Sequence, residues 1–172
     1  MASKQLTDAA LATLAARVGR RLLARKLRVA TAESCTGGWI AKSLTDIAGS
    51  SGWFEEGLVT YGNTAKQRRL GVASRLLDAG GAVSEATVEA MARGLLQRSA
   101  ASVAVSVSGI AGPGGAVPGK PVGTVWLCWA RRSARGVSVV TELHQFRGDR
   151  DTVRRKTVRR ALQGLCLRWM SR

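Results

Sequence analysis

The stretch LRVATAESCTGGWI, residues 27–40, changes from a strand pattern to a helix pattern across a turn that contains two glycines. Leu27–Ala32 has the pattern of a short buried strand, and an apolar helical period begins at Trp39 and continues to Ile47. The polar segment Glu33–Gly38 lies between them. A strand that ends in such a turn and continues at once into a helix is typical of α/β proteins, which bind ligands at the carboxyl ends of their strands.

Helical and strand patterns alternate on both sides of this stretch, with short connections. The last two predicted strands are adjacent in sequence, which favours a hairpin and therefore a mixed sheet. The whole chain, residues 1–172, is expected to form one α/β domain with helices on both faces of the sheet. The predicted elements are helices over Thr7–Ala24 and Glu85–Arg98 (N-capped by Ser84), a helix that carries Lys66, a last helix after Asp151, and strands over Leu27–Ala32, Gly57–Tyr61, Val103–Ser108, Gly123–Ala130 and Val137–Phe146.

The cysteine, histidine and apolar content narrows the classes of protein to consider. Three widely spaced cysteines indicate neither a disulfide framework nor a zinc site, and the single histidine, His144, excludes a histidine-rich metal centre. No apolar run approaches the ~18–20 residues of a membrane span, and Met1–Ala12 lacks a signal pattern. We therefore expect a cytoplasmic protein that binds neither a membrane nor a metal.

The net charge of +16 is concentrated in two segments. Residues 17–28 hold six Lys or Arg and no acidic residue, and residues 147–172 hold nine against two. Such charge attracts nucleic acid, anionic lipid or phosphorylated small molecules. Neither segment has the interleaved aromatic residues of single-strand binders. We therefore do not expect a nucleic-acid partner, and a nucleic-acid-associated protein stays as the alternative from another functional class.

The turn after the first strand offers a hydroxyl directly before helix N–H groups that can hold an anion or an oxyanion. Ser34 is therefore a candidate nucleophile, although Ser34 or Thr36 can equally be an ordinary helix N-cap. Cys35 is a rival nucleophile or a small buried apolar residue.

A serine nucleophile needs a base. His144 lies within a strand pattern, which favours a structural role, so lysine is the remaining candidate type. Lys66 follows the end of the second strand, and Lys120 lies at the rim of a glycine-rich segment. A lysine base must be neutral near pH 7, so its pKa must be lowered by burial or by nearby positive charge. The run Lys66–Arg69 can equally be a solvated charged surface.

The glycine-rich segment Gly109–Gly119 comes close to a phosphate-binding P-loop. Its spacing to Lys120 fits, but Pro121 stands where a magnesium-binding Ser or Thr is needed, and a strand follows where a helix is needed. The chain also lacks a GxGxxG sequence between a strand and a helix. Neither a nucleotide triphosphatase nor a dinucleotide-binding fold is indicated.

The chain contains six ordered motifs: TAESCTGG (31–38), Tyr61-Gly-Asn63 with Lys66, Ala82-Val-Ser84, SGIAGP (108–113), KPVGT (120–124) and Gly148-Asp-Arg150. Together they resemble the CinA C-terminal domain family, over about residues 7–170. The resemblance implies a three-layer α/β/α sandwich in the stand-alone form, without the additional N-terminal domain that many members carry. Because the characterised members are nicotinamide-nucleotide amidases, it also implies deamidation of nicotinamide mononucleotide to nicotinic acid mononucleotide and ammonia, in pyridine-nucleotide recycling.

The resemblance assigns catalytic roles to individual residues. Ser34 would attack the amide carbon, and Lys66 would take its proton and later return one to ammonia. Tyr61 and Asn63 would orient Lys66 or the substrate amide. The oxyanion would be held by backbone N–H groups around Thr36, Gly37 and Gly38.

The resemblance also indicates which residues would bind the substrate phosphate. Lys120, from the same or a neighbouring subunit, is a further candidate cation for the phosphate. A homo-oligomer is expected, with a dimer as the first candidate. No cofactor and no metal is implied. The expected phosphate-binding residues are Ser108, Gly109, Gly112, Gly114, Gly115 and Arg150.

Two positions depart from the family's pattern. Gly62 stands where a small hydroxyl residue is expected, and Ala116 replaces a glycine of the long loop. The first could loosen how Lys66 is held, and the second could alter the loop and with it the choice of substrate. These departures leave open a second alternative, a family member that binds a nucleotide without hydrolysing it.

Overall fold

Hydroxyl side chains begin two of the long helices. In the computed structural model, which describes residues 6–168, Thr7 accepts a hydrogen bond from the N–H of Ala10, and Ser84 accepts one from the N–H of Thr87. Such caps satisfy N–H groups that the first turn of a helix leaves without a partner. The helices are α1 (Asp8–Ala24), α2 (Trp39–Thr45), α3 (Asn63–Leu70), α4 (Ser74–Gly80), α5 (Glu85–Arg98) and α6 (Arg150–Arg168), with a 3₁₀ turn over Ser50–Gly52.

The strands form one mixed sheet. The strands are β1 (Val29–Glu33), β2 (Phe54–Val59), β3 (Val103–Gly109), β4 (Thr124–Ser133) and β5 (Gly136–Gln145). Their order in the sheet is β2-β1-β3-β4-β5, in which β1 pairs in parallel with both β2 and β3. β4 is antiparallel to β3 and forms a hairpin with β5. The hairpin and the mixed sheet expected from the sequence are both confirmed.

Helices cover both faces of the sheet and complete the three-layer sandwich. One face packs against α1, α2 and α6, which bury apolar residues such as Leu22, Ile40 and Leu162. The other face packs against α3, α4 and α5, with Leu70 and Met91 in its core. The carboxyl ends of the three parallel strands meet at one edge of the sheet, where β4 and α6 also begin, so the polar motifs of the sequence converge there.

A glycine in α5 allows α3 to approach it closely. A Cβ atom added at Gly94 would lie 1.8 Å from the carbonyl oxygen of Leu70, the last residue of α3, so no other residue type fits without moving one of the helices. Because α3 carries Lys66, this contact contributes to the position of that side chain.

The main differences from the sequence predictions concern the second strand and one helix, while the bounds of other elements shift by a few residues. The second strand begins at Phe54 rather than Gly57, because its acidic residues lie on an edge strand, where charged side chains are common. It ends at Val59 rather than Tyr61, because the next two carbonyl groups turn towards Lys66. The helix α4 was not predicted. Trp169, expected on the apolar side of the last helix, lies outside the described residues.

Candidate active site

Ser34 lies directly after β1, an interior strand of the sheet. Its N–H donates to the carbonyl of Val107 in β3 (3.1 Å), which continues the parallel pairing by one residue. The residue is 8% exposed. Its Oγ lies 3.2 Å from Nζ of Lys66. The two residues that the sequence selected as nucleophile and base are therefore in contact.

Lys66 is fully buried, and its ammonium nitrogen has three partners. Besides Ser34 Oγ, Nζ donates to the carbonyl of Thr60 (2.8 Å) and to the carbonyl of Tyr61 (2.9 Å). Burial lowers the pKa of the Lys66 amine below its usual value, because the charged form loses its hydration. The arrangement is unlike the solvated surface lysine that the run Lys66–Arg69 also allowed.

This geometry suits proton transfer. A neutral lysine amine has two N–H bonds and one lone pair. When the carbonyls of Thr60 and Tyr61 accept the two N–H bonds, the lone pair faces the Ser34 hydroxyl. Lys66 is therefore oriented to accept the hydroxyl proton.

Glu33, which the sequence reasoning did not select, organises the turn after Ser34. Its side chain is fully buried and accepts hydrogen bonds from the backbone N–H groups of Gly38, Ile40 and Ala41. It also accepts the hydroxyl of Thr31. The carboxylate thus satisfies the first turn of α2, which would otherwise be open to an anion.

The bonds made by Glu33 correct the expectation for the oxyanion-binding amides. The N–H of Gly38 donates to Glu33, and the N–H of Gly37 donates to the carbonyl of Ser34 (3.0 Å). Of the three amides expected to face the substrate, only that of Thr36 makes no hydrogen bond within residues 6–168.

Arg154 is the second residue that the sequence reasoning missed. From α6 it donates through Nε to the carbonyl of Cys35 (3.1 Å) and through Nη2 to the carbonyl of Thr36 (2.9 Å). Its guanidinium group also lies over the ring of Trp39, 5.3 Å from the centroid. Nothing in the local sequence separates this arginine from the neighbouring basic residues of α6.

Cys35 is buried and poorly suited to nucleophilic attack. Burial raises the pKa of its thiol to about 12, and the negative charge of Glu33 adds to that effect. The thiolate is the reactive form of cysteine. The interpretation of Cys35 as a small buried residue is therefore favoured over the thiol nucleophile.

Tyr61, Arg150 and the glycine-rich loop meet at the rim of the site. Arg150 donates to the carbonyl of Gly112 (2.7 Å) and to the hydroxyl of Tyr61 (3.2 Å). The Tyr61 side chain is 58% exposed, so it reaches Lys66 through its backbone carbonyl rather than its phenol. Asn63 begins α3 and is exposed. The structure thus brings Arg150 to the loop that was expected to bind phosphate.

The residues of the glycine-rich loop have different environments. Ser108 is buried near the end of β3, whereas Gly114 and Gly115 are exposed. A Cβ at Gly109 would lie 2.9 Å from the carbonyl oxygen of Thr124, so this glycine serves the pairing of β3 with β4. Lys120 donates to the carbonyl of Gly80 at the end of α4. Within one chain, Lys120 is therefore committed elsewhere.

Two buried hydroxyl groups near the Ser34–Lys66 pair lack a partner among the described residues. They are Oγ1 of Thr36 and Oγ1 of Thr60. Buried hydroxyls are nearly always hydrogen-bonded in proteins. Neither oxygen is exposed at the surface, so each needs a buried partner such as a water molecule.

The departures at Gly62 and Ala116 do not disturb the contacts of Lys66. Gly62 is the N-cap of α3 and offers no side-chain cap. A Cβ added there would meet no atom within 4 Å, so a hydroxyl residue would fit. Ala116 lies exposed in the glycine-rich loop.

The single histidine has a structural environment. Nε2 of His144 lies 2.8 Å from the carboxylate of Glu142, and its ring stacks on Phe146. Burial, together with the positive charge of Arg160, lowers the pKa of His144. None of these contacts involves the Ser34–Lys66 pair.

Several basic side chains of the two helical segments make contacts within the protein. Arginines of α1 and α6 pair with acidic side chains or with backbone carbonyl groups. They include Arg21 with the carbonyl of Cys166, Arg155 with Asp8, and Arg160 with Glu142.

Residues 6–168 contain no cluster of three or more His, Cys, Asp or Glu side chains that could hold a metal ion. In the same part of the chain, no helix combines the length and the apolar character of a membrane span.

Comparison with known proteins gives consistent results. The model of the CinA C-terminal domain family matches residues 11–168. The chain is 54% identical to the nicotinamide-nucleotide amidohydrolase PncC of Escherichia coli (strain K12), over 93% of this chain and 95% of that protein. It is also 54% identical to the protein of the same name from Pseudomonas putida, over 89% of this chain and 93% of the relative.

A solved structure has the same fold. The crystal structure of a competence/damage-inducible protein from Agrobacterium tumefaciens superposes with a TM-score of 0.87 at 46% identity. The match covers 92% of this chain and 94% of that one.

Proposed function

The chain belongs to the CinA C-terminal domain family, and from that premise we propose that it is a nicotinamide-nucleotide amidohydrolase with Ser34 as nucleophile and Lys66 as general base. The single observation that carries the mechanism is the contact between Ser34 Oγ and Lys66 Nζ at 3.2 Å. The carbonyl groups of Thr60 and Tyr61 accept the other hydrogen bonds of Nζ. The substrate is nicotinamide mononucleotide, and the products are nicotinic acid mononucleotide and ammonia.

The first half of the reaction forms an acyl-enzyme. Ser34 Oγ attacks the carboxamide carbon while Lys66 takes the hydroxyl proton, and the carbonyl oxygen becomes an oxyanion. When the tetrahedral intermediate collapses, its C–N bond breaks and the Lys66 ammonium gives a proton to the leaving nitrogen, which departs as ammonia. Ser34 is then esterified by the nicotinoyl group.

The second half restores the enzyme. Lys66, neutral again, takes a proton from a water molecule that attacks the ester carbonyl. The C–O bond to Ser34 breaks, the proton returns to Ser34 Oγ, and the carboxylic acid product leaves. No step needs a metal or an organic cofactor.

Arg150 is the cation that we propose for the substrate phosphate. It is exposed, donates to the carbonyl of Gly112, and contacts the hydroxyl of Tyr61, whose backbone carbonyl accepts a hydrogen bond from Lys66. A phosphate bound there would place the ribose along the glycine-rich loop, with the nicotinamide ring directed towards Ser34. Recognition of the phosphate would separate the nucleotide from free nicotinamide.

We also propose a cytoplasmic location and a homodimer. The three cysteines are free thiols, which suits a reducing compartment. The apolar side chain of Val59 is 51% exposed on the edge strand β2, beside Tyr61 at the rim of the site. An exposed apolar edge next to a binding site is a suitable contact surface for a second copy.

Ammonia release tests the proposed function. Purified protein should release ammonia from nicotinamide mononucleotide, and free nicotinamide should be at least ~100-fold poorer in kcat/KM, because it lacks the charge-assisted bonds to the phosphate. Equal rates for the two compounds would contradict recognition of the nucleotide. No release from either would remove the amidohydrolase and favour a protein that only binds the nucleotide.

The pH dependence of kcat tests Lys66 as the base. Because the pKa of Lys66 is lowered, half of its amine is already neutral at a pH below 10.5, the usual lysine pKa. Since only the neutral amine accepts a proton, kcat should rise with pH and level off with a midpoint below 10.5. The measurement is kcat at saturating substrate between about pH 5 and pH 10. A kcat that is still rising without any levelling at about pH 10, as for a lysine of ordinary pKa, or a kcat that falls with rising pH, would exclude this role.

A further inference from the structure

Three consecutive carbonyl groups in the turn after β1 are each held by a specific donor. The carbonyl of Ser34 accepts the N–H of Gly37, and those of Cys35 and Thr36 accept the guanidinium group of Arg154. A peptide unit is planar, and fixing its carbonyl group also fixes the N–H of the next residue. The orientation of this turn is therefore set from α6.

The direction of the free amide follows from peptide geometry. In a trans peptide the C=O and N–H bonds point in opposite directions. Because the Cys35 carbonyl points to Arg154, the N–H of Thr36 must point away from α6. That N–H makes no hydrogen bond within the described part of the chain, residues 6–168.

The next peptide provides an internal check. Its carbonyl, on Thr36, is also held by Arg154, and its N–H, on Gly37, points back to the carbonyl of Ser34. The side of the turn opposite to Arg154 therefore carries the carbonyl of Ser34. The N–H of Thr36 also faces away from Arg154, two residues from Ser34 and without a partner in residues 6–168.

We propose that Arg154 is a positioning residue that orients the N–H of Thr36 as an oxyanion donor for the reaction at Ser34. This inference rests on the proposed function and adds to it how the turn is oriented before the reaction begins. Arg154 does not touch the substrate; it fixes two peptide planes in advance, so that the donor need not reorganise during the reaction. Its guanidinium fork suits this task, because lysine offers a single point of attachment.

Replacement of Arg154 should affect turnover rather than binding. Loss of one oxyanion donor typically costs about 100-fold or more in kcat. Arg154→Ala should therefore lower kcat for nicotinamide mononucleotide by about 100-fold and leave KM within about threefold. A kcat within threefold of the wild type would overturn the proposal. An unchanged kcat with a raised KM would overturn it as well, since Arg154 would then bind substrate.

A matched control and a chemical rescue separate positioning from a general structural role. Arg155→Ala removes the same charge from the next position of α6, and also a contact with the ring of Trp39, without touching the turn carbonyls, so its kcat should stay near that of the wild type. Millimolar guanidinium should restore part of the activity of Arg154→Ala, whereas Arg154→Lys should stay impaired. A control loss equal to that of Arg154→Ala, or full activity in Arg154→Lys, would contradict the proposal.

A cleft next to Arg154 gives the rescuing ion access to the site. Its volume is about 320 Å³. It is lined by Asp8, Gly37, Gly38, Trp39, Lys42 and Arg154.

Labelling of Ser34 distinguishes failure of this inference from failure of the proposed function. A fluorophosphonate reacts when Ser34 Oγ displaces fluoride from phosphorus and Lys66 takes the proton, and the developing charge on the phosphoryl oxygen needs the same donor. Intact-mass measurement should show labelling of the wild type, none of Ser34→Ala, and at least ~10-fold slower labelling of Arg154→Ala. If the wild type is labelled but releases no ammonia, the substrate assignment fails, and slower labelling of Arg154→Ala then still supports the Arg154 inference. Equal labelling of wild type and Arg154→Ala overturns the inference, whatever the substrate.

Discussion

Replacing Ser34 with alanine, or Lys66 with methionine, should each lower kcat/KM for nicotinamide mononucleotide by about 10⁴-fold or more. The first variant lacks the attacking oxygen. The second keeps an unbranched side chain in the buried site but has no basic nitrogen to accept the proton. Because the two side chains act as one unit, the double variant should be hardly worse than either single variant. The measurement is ammonia release, together with the melting temperature of each variant.

The rival nucleophile provides the control for this pair. Cys35→Ala should retain activity within a few-fold, because burial raises the pKa of the thiol to about 12 and keeps it protonated at neutral pH. Lys66→Arg should be inactive, because a guanidinium group is not deprotonated in proteins. Substantial activity in Ser34→Ala combined with loss of activity in Cys35→Ala would replace the serine mechanism by a thiol mechanism.

Replacing Glu33 with alanine should lower the free energy of unfolding by about 3–5 kcal/mol. The variant leaves the buried N–H of Ile40 and the partly buried N–H groups of Gly38 and Ala41 without their acceptor, and a fully buried unsatisfied donor costs about 1–3 kcal/mol. It also leaves a cavity where the carboxylate lay. Urea unfolding followed by circular dichroism measures the change, which is large relative to the usual 5–15 kcal/mol stability of a domain.

Two further variants test whether the carboxylate oxygens are what matters. Glu33→Gln keeps the shape and one oxygen acceptor but turns an NH₂ group towards backbone donors, so it should be destabilised, though less than Glu33→Ala. Glu55→Ala removes a glutamate that pairs with the partly exposed Arg28, and should cost about 0–1 kcal/mol. A loss below about 1 kcal/mol for Glu33→Ala would show that Glu33 does not support the turn.

The fold could be predicted closely because local patterns and tertiary packing agree. The strand, turn and helix across residues 27–40 appear as expected, and Ser84 caps α5 as predicted. The errors lie where tertiary contacts decide the geometry. β2 ends at Val59 because the next two carbonyl groups accept hydrogen bonds from Lys66, and no strand pattern in the sequence reveals this.

The residues of the candidate site that lie in sequence motifs could be predicted. Those that reach the site only through the fold could not. Ser34 and Lys66 stand 32 positions apart in the sequence, yet both follow strand ends that parallel pairing brings together. Arg154 lies 119 positions from Cys35 within a run of basic residues, and its role depends on the crossing of α6 over the turn. Glu33 was within the quoted motif, but the burial that makes its carboxylate structural appears only in three dimensions.

Lys66 is oriented by two backbone carbonyl groups, those of Thr60 and Tyr61. Carbonyl oxygens are present in every residue type, so the orientation of Lys66 does not depend on which side chains stand at positions 60 and 61. The phenol of Tyr61 points to solvent and to Arg150 rather than to Lys66. Mutational libraries at positions 61 and 150 can therefore explore new amide substrates while the proton-transfer geometry stays intact, which makes this rim a practical starting point for redesign.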